Sequence, residues 1–199
     1  MRNTSNGTWQ EQLDAQCRVV SLRQAIAHGL SRKVVEHRAR TGEWQRLHRG
    51  TYATFRGEPS RCALLWAAVL RTGDDAVLSH ETAAELQGLR DDKDGPIHVT
   101  VPADQNPARK GELPGIVVHR SRRIRRQQPP DGLPRTPVEV TVADLMSTAG
   151  SFDEAYQVLR LAIDRRLATV AALRDEISGR KRMPHRVQVE QALDELAQD

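Results

Sequence analysis

Apolar residues recur along this chain in short groups whose spacing alternates between helical and extended periods. Thr8 is a natural N-cap, and Leu13, Cys17 and Val20, spaced by four and three, predict a first helix over about Trp9 to Val19. Ser21 caps a second, short helix in which Leu22, Ala25 and Ile26 share a face, and Gly29 closes it as a left-handed stop. After Leu30, Ser31 caps a third helix over Arg32 to Thr41, ended by Gly42, with Val34, Val35 and Ala39 as its apolar side. Two helices of this size around a tight Gly-Leu-Ser turn have the dimensions of a helix-turn-helix. The stretch from Glu43 to Phe55 then alternates on both sides of a turn at Gly50, so that Trp44, Leu47, Tyr52 and Phe55 face one side of a predicted hairpin. A hairpin directly after the second helix of such a motif is a wing.

Gly57-Glu58-Pro59-Ser60 interrupts the pattern and sets the expected boundary between a domain of residues 1–57 and one of residues 58–199. In the second part Arg61 to Arg71 reads as an amphipathic helix, Ala76–Leu78 as a short strand, and His80 to Leu86 as a helix capped by Ser79. Ile97–Val101 and Ile116–Arg120 alternate like half-buried strands, so a small sheet is expected within residues 76–120. Beyond the turn-rich segment 129–137, helices are expected near Val138–Ala149, Phe152–Leu167, Val170–Ser178 and Arg186–Ala197. The fold class is α+β: an N-terminal winged helix-turn-helix followed by a mixed α/β-to-helical C-terminal domain.

Charge sharpens this picture because it is unevenly placed. Of 30 basic residues 26 are arginine, and the net charge is only +4. Residues 1–56 nevertheless carry +6, residues 109–135 another +6, and the remainder −8. Localised positive charge points to an anionic partner, nucleic acid being the commonest. On the third helix Lys33, Glu36, His37 and Arg40 share the face opposite the apolar one, with Arg32 beside them in the first turn after Ser31. A helix entering the major groove reads bases with such N-terminal residues, and Arg46, His48 and Arg49 at the hairpin tip would reach phosphates or the minor groove. An arginine-rich solvated helix would look the same by itself; the wing favours DNA. The second basic cluster, Arg120, Arg122, Arg123, Arg125 and Arg126, is read either as a solvated loop or as a further nucleic-acid or partner contact. The run Arg180-Lys181-Arg182 with Arg186 could serve the same surface.

Taken in order, several blocks of this chain resemble the AbiEi-type antitoxins of type IV toxin–antitoxin systems, including their mycobacterial and other actinobacterial relatives. The resemblance begins at Ser21–Ser31 and Gly42–Tyr52. It resumes at Ala76–Leu89, Ile97–Pro102 and Val117–Ser121, and ends with Leu133–Thr136, Thr141 and Asp144. It implies a winged helix that binds inverted repeats in double-stranded operator DNA and represses its own operon. It also implies a C-terminal domain that counteracts, directly or indirectly, a nucleotidyltransferase-like toxin. By position, Arg32, Lys33, His37 and Arg40 would read the operator and Arg46, His48 and Arg49 would be wing contacts. Because some relatives carry a further nuclease-like domain, a stand-alone winged-helix regulator without antitoxin activity is the alternative.

No catalytic constellation is expected, nor any cofactor or metal. Phosphate-binding glycine loops and nucleophile elbows are absent from the sequence. The loop Asp91-Asp92-Lys93-Asp94 offers carboxylates for a metal-dependent nuclease but reads as a solvated turn. His80 is the most enzyme-like histidine, without an evident partner, and His98 and His119 are expected on one solvated strand face, where a paired metal site is the less favoured reading. Cys17 and Cys62 read as isolated buried thiols. No run reaches the roughly 18–20 apolar residues of a membrane span, and the N-terminus lacks an apolar signal region, so a cytoplasmic protein is expected.

Overall fold

The computed structural model describes residues 8–91 and 95–198. Helix α1, Trp9–Ala15, starts in a capping box: the Glu11 N–H donates to the Thr8 hydroxyl at 3.2 Å and the Thr8 N–H donates to the Glu11 carboxylate at 2.7 Å. The helix is shorter than the periodicity predicts. Gln16–Arg18 form a turn, with Cys17 and Arg18 at positive φ, and Val19–Ser21 become strand β1. The β-branched pair Val19 and Val20 gains more from two fully buried positions in a sheet than from prolonging a helix.

Helix α2, Leu22–Ala27, is capped by Ser21, and α3, Arg32–Arg40, by Ser31, whose hydroxyl accepts from the Val34 N–H at 3.3 Å. Strands β2, Gln45–His48, and β3, Thr51–Ala53, form the hairpin, turned at Arg49-Gly50 with Gly50 at φ +77°. The three strands pair antiparallel in the order β1-β3-β2, so β1 completes the sheet behind the wing. Leu13, Val20, Ala25, Val35, Trp44 and Tyr52 fill the core beneath the helices. Two expectations fail here. Ile26 and Val34 were placed on the packed faces, but they are 47% and 39% exposed. Trp44 and Tyr52 also part company from Leu47 and Phe55, which pack in a second cluster.

That second cluster joins the two parts of the chain. Helix α4, Arg61–Thr72, lies between the winged-helix sheet and a second one, so Val19 and Ala53 share a core with Leu65, Trp66, Leu78 and Val99. The Gly57–Ser60 break marks a change of direction within continuous packing. A disulfide spans the same junction: Cys17 is bonded to Cys62, with Cα atoms 6.1 Å apart. The expectation of isolated thiols is thereby corrected, because the turn after α1 brings Cys17 onto the first turn of α4.

The second sheet runs β4, Val77–Leu78, β5, Ile97–Pro102, and β6, Ile116–Ser121, in that order; β4 is antiparallel to β5, and β5 is parallel to β6. The short helix α5, His80–Leu86, packs on β5. A helical layer follows: α6, Val138–Thr148; α7, Phe152–Asp164; α8, Val170–Ser178; and α9, Arg186–Glu195. Its core holds Val142, Met146, Leu159, Leu173, Ile177 and Leu193, all essentially inaccessible. Truncating Met146, Leu159, Leu173, Ile177 or Leu193 to Ala would cost roughly 2–5 kcal/mol. The mixed α and β architecture with an N-terminal winged helix is the expected fold class. Among the described residues, no helix is long and apolar enough to cross a membrane.

Candidate nucleic-acid interface

Helix α3 is oriented by Val35 and Ala39, which turn inward, Val35 without any exposure. At 100° per residue the face directly opposite carries Lys33 and His37, flanked by Arg40 on one side and by Val34 and Thr41 on the other, all exposed. Arg32 stands at the helix start, 3.6 Å from Glu36 in a solvated i,i+4 pair. Exposed Val34 therefore adds an apolar element to this outward face. The sequence pattern hid it because three apolar residues fit one stripe when the stripe is drawn wide. Not every arginine nearby is available: Arg38 pairs with Glu43 at 3.5 Å and lies 5.3 Å over the Trp44 ring, and Arg23 pairs with Asp74.

The wing is short and pressed toward the C-terminal part. Arg46 and Arg49 are exposed, whereas His48 is half-buried, its Nδ1 without a partner. Burial, and secondarily the charge of Arg71, hold that imidazole below its ordinary pKa, so it is neutral. Arg71, only 6% exposed, donates to the Gly111 carbonyl at 2.9 Å, and a Cβ at Gly111 would lie 3.7 Å from Arg49 and 3.8 Å from Arg71. The result is a groove of about 900 Å³ lined by Arg32, Arg40, Arg46, Arg49, Arg71 and Arg109, with Glu36 as its single acid. Arginines crowded around one concavity focus positive potential, and burial with the neighbouring Arg49 depresses even the Arg71 pKa. Arg71 and Arg109 were not among the expected site residues. The only sequence signal for either was local charge; the packing of α4 against the wing brings Arg71 here, and the short turn at residues 107–110 after β5 brings Arg109.

The second basic cluster is divided. Arg125 pairs with Glu139 at 3.4 Å and with Glu176 at 2.9 Å, and Arg126 donates to the Asp74 carbonyl at 2.8 Å. Arg120, Arg122 and Arg123 are exposed with no ion-pair partner among the described residues. Arg180, Lys181 and Arg182 do line the same cleft as Arg120, Arg122 and Arg123, but Arg180 is engaged there, bonding Asp144 at 2.7 Å and Glu176 at 3.1 Å.

The histidines converge. His98 Nδ1 and His119 Nε2 lie 3.1 Å apart across parallel strands, and the His80 ring stacks on His119 with centroids 3.6 Å apart. Sequence had set His80 apart from the other two. All three are half-buried, and burial lowers the pKa of each: His119, His98 and Arg180 add to it at His80, which falls to about 3, His98 adds to it at His119, and Glu81 opposes it at His98. Among the described residues no group of three or more His, Cys, Asp or Glu is arranged to hold a metal ion. Of the carboxylate loop considered for a nuclease, Asp92, Lys93 and Asp94 lie outside the described residues.

No curated protein matches the chain. Residues 12–54, which run from within α1 to the end of the wing and include the whole helix-turn-helix, match a family described as transcriptional regulator, AbiEi antitoxin. The match overlaps the first two of the ordered blocks and none of those beyond residue 54: over this N-terminal segment the chain is similar to AbiEi antitoxin transcriptional regulators.

Proposed function

We propose that this protein is the antitoxin and autorepressor of a type IV toxin–antitoxin system. In this reading α3 and the wing bind inverted repeats in the operon's own promoter, and the C-terminal part counteracts a nucleotidyltransferase-like toxin without catalysing a reaction itself. Its place of action is the cytoplasm, where operator and toxin would both be met. The observation that carries the reading is the arginine-lined groove between α3 and the wing, inside the segment that matches AbiEi regulators. Lys33 and His37 are exposed on the face of α3 that points away from the core; in this reading they meet base edges while the groove arginines grip the flanking phosphates.

The test has two arms. Full-length protein is titrated onto its promoter duplex and onto a scrambled duplex, and the same protein is co-expressed with the product of the adjacent gene. Selective binding of the promoter, abolished by combined Lys33→Ala, Arg40→Ala and Arg46→Ala, is expected, as is rescue of growth that survives those substitutions. Selective binding without rescue would leave a stand-alone regulator, and equal binding to both duplexes would remove the operator role. The co-expression uses the whole chain because residues 57–199 alone would lose Val19 and Ala53 from the shared core.

A further inference from the structure

A second cleft, about 1,230 Å³, opens between β6, α6 and the α8–α9 junction, away from the α3–wing groove. His80 and His119 line its inner wall, and Arg120, Arg122 and Arg123 its edge. Three features set it apart from ordinary polar surface. The imidazoles come from α5, β5 and β6, so their contact is a product of tertiary structure, and a sheet of this size could have closed over apolar side chains there instead. His80 is held at φ +49°, with its Nδ1 3.1 Å from the Ser79 hydroxyl, which in turn accepts from the buried Thr100 hydroxyl at 2.8 Å. The backbone thus holds a sparsely populated conformation while a hydroxyl relay fixes the ring. Finally, charge in the cleft is unbalanced. Two of the carboxylates lining it, Asp144 and Glu176, are already engaged by Arg180 and Arg125, while the three edge guanidiniums have no acidic partner among the described residues.

We propose that this cleft binds a phosphate monoester, carried by a mononucleotide or by the phosphorylated 5′ end of a nucleic-acid strand. Arg120, Arg122 and Arg123 grip the phosphate oxygens, and the His80–His119 stack forms the inner wall. Several guanidiniums converging on one dianion is phosphate chemistry, since each can donate two parallel hydrogen bonds. The histidines suit the same ligand. His98 and His119 share one proton across their 3.1 Å contact, so one ring donates and the other accepts. Held neutral, the ring that accepts in this contact carries its N–H on the other nitrogen, which can donate to a phosphate oxygen.

The inference is independent of operator recognition and is tested on the full chain labelled in its histidine rings. Imidazole resonances are followed by NMR while adenosine 5′-monophosphate, adenosine, inorganic phosphate, and a short single strand with or without a 5′-phosphate are added. The His80 signal is assigned by its loss in His80→Asn. Saturable movement of the His80 and His119 signals is expected with the monophosphate, the phosphorylated strand, or both, and the tighter of the two identifies the source. Adenosine should have no effect, and Arg122→Ala with Arg123→Ala, both solvent-exposed, should weaken binding by at least about tenfold. Equal affinity for inorganic phosphate, equal shifts from the strand with a 5′-hydroxyl, or still signals at millimolar monophosphate would each overturn the proposal.

Discussion

Two regions of this protein carry the same charge by count and use it differently. Around α3 and the wing, six arginines line one groove in which Glu36 is the single acid among the described residues, and Glu36 pairs with Arg32 in solvent. In the segment from Arg120 to Arg126 two of the five arginines are bound internally, and the neighbouring Arg180 is tied to Asp144 and Glu176. The first arrangement leaves a field for a long polyanion. The second cancels much of its charge and leaves a few guanidiniums around a polar cleft, which suits a compact anion. Net charge per segment does not separate the two; the pattern of pairing does.

The largest effect should come from the first region. Combined Lys33→Ala, Arg40→Ala and Arg46→Ala should lower operator affinity by on the order of a hundredfold or more, measured by fluorescence anisotropy, given about 1–3 kcal/mol for each good base contact and further loss at phosphates. An equal loss on random DNA would shift these residues from reading bases to gripping the backbone.

Next in size is the tie between the regions. The Cys17–Cys62 bond closes a 45-residue separation, and replacing both cysteines by Ser should cost roughly 2–4 kcal/mol in urea unfolding of the oxidised protein. The same substitution should matter far less once wild type is reduced. In a reducing compartment such as the cytoplasm proposed above, the shared core of Val19, Ala53 and Trp66 would hold the winged helix, and the operator affinity of the reduced protein should remain.

The histidine cleft predicts acid lability. Its imidazoles are neutral in the folded protein, and the unfolded chain takes up protons below pH 6.5, so stability is full above that value and falls as the pH drops toward about 3. For His80, 12% exposed, the slope is on the order of 1.4 kcal/mol per pH unit. Buried Asp144 has a raised pKa and acts in the opposite sense at the lower end, so the cleanest window lies just below pH 6.5. His80→Asn, which tolerates positive φ, should flatten the slope of unfolding free energy against pH. The smallest effect is a null one. Arg122→Ala with Arg123→Ala should leave operator affinity unchanged, and a tenfold loss would merge the two regions into one DNA footprint.

The elements of the winged helix were legible because local signals state them: three N-caps at Thr8, Ser21 and Ser31, positive-φ Gly29 and Gly42 after α2 and α3, and an Arg-Gly turn between alternating strands. Strand β1 was not legible, since three residues between a turn and a helix carry no period and only pairing with β3 makes them a strand. The parallel register that sets His119 beside Thr100, the approach of Arg71 and Arg109 to the wing, and the Cys17–Cys62 bond all depend on elements distant in sequence. Residue types named the chemistry available, arginine and histidine, while tertiary packing decided which of them meet.

The central claim is that the groove shared by α3, the wing and the edge of the C-terminal part is the DNA footprint. It is tested most directly by the salt dependence of operator binding for wild type, Arg46→Ala, Arg109→Ala and Arg122→Ala. Loss of one phosphate contact should lower the slope of log affinity against log salt by about 0.9. The footprint predicts that reduction for Arg46→Ala and for Arg109→Ala, with Arg122→Ala indistinguishable from wild type. An unchanged slope for both Arg46→Ala and Arg109→Ala would contradict it.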